Sequence, residues 1–109
     1  MWNRLYDITM QTPIGARYGT MSVMENNGKI NGMLNILKRE NSFHGRIREN
    51  GDCRITGAIR SLMRIIPYDA EGRMTEEILI LTLTGEQESF EISGRRAEHL
   101  TEQEKRRES

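Results

Sequence analysis

Residues 43–59, FHGRIRENGDCRITGAI, are the stretch that decides the fold. Apolar residues and glycines alternate with polar ones on both sides of Glu49-Asn50-Gly51. Alternation with a period of two is typical of a β-strand that has one face buried and the other in water. Asparagine followed by glycine is a strong hairpin signal. The stretch therefore predicts two antiparallel strands joined by a tight turn.

The register of this hairpin follows from the length of its loop. A three-residue loop over 49–51, with its glycine in the left-handed conformation of a G1 bulge, sets Ile47 opposite Cys53. A two-residue loop would set Ile47 beside Arg54 instead, and the apolar residues would no longer share one face. We therefore predict the first register, which also sets Arg46 opposite Arg54 on the solvent face.

The same alternation extends outward along the chain and predicts about eight strands. Turn residues separate them, with TPIG at 12–15 and Asn-Gly at 27–28 as the clearest examples. At 27–28 we favour a two-residue turn, which keeps Val23 inward, over a three-residue loop. The segment 38–41 is read as a polar gap of hairpin length. The predicted strands are 4–10, 17–25, 29–37, 42–48, 52–60, 65–74, 78–84 and 88–94.

Length and composition indicate one small domain. The chain has 109 residues, 36% hydrophobic and 29% charged, with a formal net charge of zero. A charge balance of this kind argues against general nucleic-acid binding and against binding to a membrane surface. A single cysteine and the lack of a long apolar run indicate the cytoplasm. We assign the β domain to 1–94 and a polar tail, disordered or a short helix, to 95–109.

Glycines recur inside the predicted strands, on the same parity as the apolar residues, as at Gly45 and Gly72. Glycine is costly in a strand interior. It either lets the sheet coil sharply and accept a neighbouring ring, such as Phe43 over Gly57, or opens a cavity for a ligand. Eight strands in meander order predict an all-β, up-and-down barrel, closed or half-open. Because its inward apolar side chains suffice to fill such a barrel, we favour the first interpretation of the glycines.

The stretch 6–15, YDITMQTPIG, is followed by GTMSV at 19–23 and by the Gly-Lys-Ile-x-Gly strand at 28–32. This pattern resembles a family of small bacterial β-meander proteins with Thr-Pro-hydrophobic-Gly turns, glycine-punctuated strands and an internal repeat. The second turn of the expected repeat, SLMR at 61–64, departs from that pattern. The resemblance covers about residues 5–94, supports the fold and implies no activity.

The residues that could carry catalysis are few. The histidines are His44, on the outward face of a strand, and His99, in the tail. A nucleophile needs its base within hydrogen-bond reach, whereas the predicted parity places Cys53 inward and His44 outward. One cysteine and two distant histidines do not make a zinc site. We therefore expect no enzyme, no metal and no cofactor.

Basic residues make the most pronounced surface feature. Such a group of side chains could bind a phosphate or an acidic partner. We therefore expect a non-enzymatic binding module that uses a sheet face, an edge or this patch, with a protein, an anionic partner or a second copy joined through sheet edges. The alternative is a lipocalin-like carrier of a small apolar ligand. The predicted patch consists of His44, Arg46, Arg48, Arg54 and Arg60.

Overall fold

The computed structural model describes residues 1–97, which form an all-β barrel of eight antiparallel strands in meander order. Each strand pairs with the next along the chain, and β8 pairs with β1 to close the barrel. The predicted tail structure beyond residue 97 lies outside the described residues. The strands are β1 (Trp2–Thr12), β2 (Gly15–Asn26), β3 (Lys29–Ile36), β4 (Arg39–Ile47), β5 (Asp52–Arg60), β6 (Ile65–Met74), β7 (Ile78–Thr84) and β8 (Ser89–Arg96).

The sequence predicted a barrel that is either closed or half-open, and the structure has the closed form. Six residue pairs join β1 to β8, from Tyr6 opposite Arg96 to Gln11 opposite Glu91. A further backbone hydrogen bond of 2.8 Å runs from the amide of Ala97 to the carbonyl of Leu5. Along this seam both strands have partners on both sides, so their backbone groups are not left as an open sheet edge.

The hairpin that decides the fold has the predicted register. Ile47 lies opposite Cys53, and Arg46 lies opposite Arg54. The loop glycine, Gly51, has a φ of 97°, in the left-handed region that the G1 bulge requires. The turn at 27–28 is likewise the favoured two-residue turn, with its flanking residues paired directly.

The β3–β4 turn differs from the prediction. The prediction treated 38–41 as a polar gap, but β4 begins at Arg39 and the turn consists of Leu37 and Lys38. Both turn residues have positive φ, 55° and 61°. Leucine and lysine rarely adopt this conformation, so neither residue signals a hairpin turn in the sequence.

Asn41 is the buried polar residue at this end of the barrel. Its amide nitrogen donates to the carbonyls of Leu34, at 3.1 Å, and Arg39, at 3.2 Å. Its amide oxygen accepts a 2.9 Å bond from the backbone amide of Arg60. The side chain therefore links β3, β4 and β5, and a position that reads as loop in the sequence has a structural role inside the barrel.

The barrel interior is one apolar core, and the prediction of inward residues from strand parity is confirmed. Trp2, Leu37, Ile47 and Phe90 pack against it from its margins. Apolar burial of this extent is the main favourable term in the stability of a small domain. The buried hydrophobic residues are Tyr6, Ile8, Met10, Met21, Val23, Ile30, Leu34, Ile36, Phe43, Cys53, Ile55, Ile59, Tyr68, Ala70, Met74, Leu79, Leu81, Leu83 and Ile92.

The strand glycines lie where neighbouring strands approach too closely for a side chain. A Cβ atom on Gly45 would overlap the carbonyl oxygen of Arg54, and one on Gly72 would overlap that of Ile80. Phe43 does lie opposite Gly57 in the register, but the tip of its ring lies against Gly32, where an added Cβ would meet it at 3.0 Å. A Cβ on Gly57 would meet the Tyr68 hydroxyl at 2.8 Å. The glycines therefore permit tight coiling of the barrel wall.

Candidate functional site

A row of basic side chains crosses the outer wall of the barrel. Strand parity directs Lys29 on β3, Arg46 on β4 and Arg54 on β5 outward, and the register places them directly opposite one another. Neighbouring strands are about 4.8 Å apart, so these three cations are closely spaced. Like charges directly opposed are mildly destabilising. An anion that bridged them would relieve this repulsion.

The row continues into a shallow groove in the wall, which we call the arginine groove. The backbone of Gly45 and Gly72 forms part of its floor. Four guanidinium groups contribute to its lining, together with the carboxylates of Asp52 and Glu71. The four arginines of the groove are Arg46, Arg48, Arg54 and Arg73.

Two of these arginines already contact a carboxylate. Arg54 lies 3.6 Å from Glu71, and Arg73 lies 3.4 Å from Asp52. At least half of each of these four side chains is exposed to solvent. Exposed ion pairs of this length contribute little, typically below about 1 kcal/mol. Both arginines therefore remain available to a stronger anionic partner.

The structure brings together some members of the predicted patch and separates one. Arg46, Arg48 and Arg54 all line the arginine groove, and His44 lies on the adjacent outward position of β4, opposite Thr56. Arg60 is also outward, but it lies six residues beyond Arg54 along β5, roughly 20 Å away at about 3.3 Å per residue. A single small ligand would not reach it from the groove.

The prediction missed two basic residues of this region, Lys29 and Arg73. Lys29 becomes a neighbour of Arg46 only through the β3–β4 register, and Arg73 joins the groove through its position opposite Asp52. The signal that could have found them was the pairing of successive hairpins. The predicted patch rests on the outer face of the β4–β5 hairpin alone.

The barrel wall separates Cys53 from His44, the nucleophile and base that the sequence offers as a pair. Cys53 is buried inside the barrel, and His44 is exposed on its outer surface. Burial raises the pKa of the Cys53 thiol to about 11, and the nearby Asp52 charge adds to the effect. The thiol is therefore protonated at neutral pH. Within residues 1–97, no group of three or more metal-ligating side chains is assembled.

A second concave region lies at one end of the barrel, and we call it the mouth recess. Three turns surround it, and backbone hydrogen bonds join them to neighbouring strands. The amide of Ile47 donates to the carbonyl of Gly28 at 2.9 Å, and the amide of Met74 donates to that of Gly51 at 2.8 Å. The recess is therefore framed by backbone that is held in place.

Inside the mouth recess, Arg4 and Trp2 form a stack. The guanidinium carbon of Arg4 lies 3.7 Å from the centre of the Trp2 ring, a cation–π geometry. Its Nη1 donates to the hydroxyl of Tyr6 at 3.3 Å, and that hydroxyl donates to the carbonyl of Thr75. Burial raises the pKa of Tyr6, so its phenol stays protonated and keeps this chain of hydrogen bonds at neutral pH.

Deeper in the barrel, Tyr68 carries a buried hydroxyl that has no hydrogen-bond partner among residues 1–97. The residue is 4% exposed, and burial raises the pKa of its phenol to about 12. An unpaired buried hydroxyl costs free energy that an apolar group of the same shape would not.

Replacing Tyr68 by phenylalanine is therefore expected to leave the free energy of unfolding unchanged or to raise it by up to about 1 kcal/mol. The matched change, Tyr6→Phe, removes a hydroxyl that bonds to both Arg4 and Thr75 and should lower it by about 1–2 kcal/mol. Urea denaturation of both variants measures the difference. A larger loss for Tyr68→Phe than for Tyr6→Phe would contradict the unpaired state of the Tyr68 hydroxyl.

Comparisons of this chain with protein-family models, with curated proteins and with solved structures found no match. Within residues 1–97, there is no helix with the length and apolar character that a membrane-spanning helix needs.

Proposed function

We propose that this protein is a non-enzymatic binding module that engages an acidic partner protein through the arginine groove. The observation that carries the proposal is the convergence of Arg46, Arg48, Arg54 and Arg73 on one groove of a chain with no net charge. A local excess of this kind attracts an anionic surface and orients it toward this wall. We further propose that the protein acts in the cytoplasm, where its single cysteine would stay reduced.

The chemistry of the groove favours carboxylate or phosphate groups. A guanidinium presents a planar fork of donors that matches both anions, and two such forks lie opposite each other at Arg46 and Arg54. An extended acidic segment that followed the row from Lys29 to Arg54 would meet three cations on adjacent strands. Spacing of this kind suits a chain with several carboxylates better than a single small anion.

The other routes to binding have less support. Closure of the barrel pairs β1 with β8, which removes the sheet edge that self-association would use along that seam. The apolar-ligand carrier needs an interior cavity, whereas the interior positions hold the packed side chains of one hydrophobic core. A small apolar ligand would therefore have to lie at the barrel mouth.

The double variant Arg46→Ala/Arg54→Ala is expected to bind an acidic peptide about tenfold more weakly than the unmodified chain. Each lost charge contact removes on the order of 0.5–1 kcal/mol, and about 1.4 kcal/mol corresponds to a factor of ten. Fluorescence anisotropy with a labelled decaglutamate peptide, at low and at physiological salt, measures the change. Binding should weaken as salt increases, because the contacts are exposed.

The matched control is Arg39→Ala/Arg95→Ala, which removes the same charge from exposed positions outside the groove. This control should bind decaglutamate as the unmodified chain does. Equal losses of affinity in the two double variants would show that net charge alone causes the effect and would contradict binding at the groove. Tighter binding of a labelled single-stranded DNA than of decaglutamate would overturn the assignment of a protein partner.

A further inference from the structure

The mouth recess contains an arginine at a position that strand parity directs into the barrel. Trp2, Arg4 and Tyr6 alternate along β1, and Tyr6 is fully buried. Arg4 lies opposite the buried Val23 and is itself only partly exposed. A partly desolvated guanidinium interacts more strongly with an anion than one that is fully hydrated, because the effective dielectric is lower.

Within residues 1–97, the contacts of Arg4 leave most of its donors unused. One ring face of Trp2 covers the guanidinium, and one nitrogen donates to the Tyr6 hydroxyl. A guanidinium has five N–H donors. Among residues 1–97, no carboxylate forms a salt bridge with Arg4. The group is therefore oriented by its neighbours and can still donate two parallel hydrogen bonds to a carboxylate.

Glu25 also lines the recess, and its carboxylate already contacts two other groups. Its Oε2 accepts a 2.9 Å hydrogen bond from the amide of Gly28, and the N-terminal ammonium lies 3.3 Å from its Oε1. The Gly28 hydrogen bond is the main cause of a lowered pKa for Glu25, which is therefore ionised at neutral pH. Attraction to the Arg4 charge also lowers the pKa of Glu25, but it contributes less than Gly28 and the N-terminal ammonium do.

The rest of the recess is lined by apolar side chains and, at exposed positions, by Glu49 and Glu76. Trp2, Ile47 and Met74 contribute side chains that also pack against or belong to the core. The recess has a volume of about 520 Å³, within the range of sites for small molecules. We propose that the mouth recess binds a small monocarboxylate with a short apolar body, whose carboxylate pairs with Arg4 and whose body lies against Trp2. This site shares only Arg48 with the arginine groove, and the proposal does not depend on the function of the groove.

The sole tryptophan of the chain provides the assay, since Trp2 lines the recess. Hexanoate is the probe, and hexanol is its uncharged counterpart of the same length. Titration of the full chain with hexanoate should change Trp2 fluorescence in a saturable way, and hexanol should bind at least about tenfold more weakly. The absence of a saturable change, or equal affinity for the two probes, would overturn the proposal.

The variant Arg4→Gln should lose at least about tenfold in affinity for hexanoate, whereas Arg46→Ala, in the arginine groove, should bind hexanoate normally. Circular dichroism checks that each variant keeps its fold. If Arg4→Gln does not fold, amide shifts of the unmodified chain decide the outcome. Shifts centred on Gly51 and Thr75 support the recess, and shifts centred on Arg46 and Arg54 instead would contradict it.

Discussion

Replacing Gly45 by alanine is expected to unfold the barrel or to cost at least about 3 kcal/mol of its free energy of unfolding. The added methyl group would overlap the backbone carbonyl oxygen of Arg54 and crowd the Cα of Ile55 at 2.7 Å. Backbone atoms of a paired strand cannot rotate aside as a flexible side chain could, so β4 and β5 would have to separate. Because small domains are stable by only about 5–15 kcal/mol, this loss is a large fraction of the total.

Urea denaturation followed by circular dichroism measures this loss, with Gly85→Ala as the control. Gly85 lies in the β7–β8 turn, where an added Cβ would meet the Glu88 carboxylate, the Ile66 side chain and the Pro67 carbonyl oxygen at 3.3 Å, a tight contact but not an overlap. That change should cost no more than about 1 kcal/mol. If Gly45→Ala unfolds at the same urea concentration as the unmodified chain, the close approach of β4 and β5 is wrong.

The second large effect is expected for Leu81→Ala, which should lower the free energy of unfolding by about 3–4 kcal/mol. Leu81 is fully buried at the centre of β7, between Gly72 on β6 and Ile92 on β8. Truncation removes apolar contact and leaves a cavity, because a closed barrel wall has little freedom to collapse inward.

The neighbouring residue gives a matched control, since Ile80 lies on the same strand with its side chain 57% exposed on the outer wall. Ile80→Ala should cost no more than about 1 kcal/mol, which reflects the lower strand propensity of alanine. Thermal and urea denaturation of the pair separate burial from strand propensity. Equal losses would show that the inward and outward faces of β7 are misassigned.

The arginine groove and the mouth recess share one residue, which determines how their variants are chosen. Arg48 lies in the β4–β5 turn and lines both regions. A change at Arg48 would therefore affect both sites and identify neither. Changes at Arg46 and Arg54 on the wall, and at Arg4 in the mouth, separate them.

Much of the fold was predictable because its signals are local. The period of two in each strand decides which side chains face inward, and it needs no knowledge of the rest of the chain. The 43–59 hairpin was predictable to the residue, because its turn type and its apolar face independently favour one register. The same register predicts Arg46 opposite Arg54, and both residues line the arginine groove.

The sequence was less informative where residue identity contradicts local preference. Leu37 and Lys38 form a turn with positive φ that neither residue favours, so the start of β4 was misplaced. Asn41 reads as loop because it is polar, yet hydrogen bonds to three backbone groups stabilise it inside the barrel. In both cases pairing of neighbouring strands outweighs the preference of the residue.

The sequence by itself determined the number of strands, their inward faces and the 43–59 register, because each depends on neighbours along the chain. Only the tertiary structure decided that β8 closes against β1, that Lys29 and Arg73 join the outer arginines, and that Arg4 faces the barrel mouth beside Trp2. These features depend on the summed registers of all the hairpins and on the coiling of the wall at its glycines. No single stretch of sequence determines these combined registers.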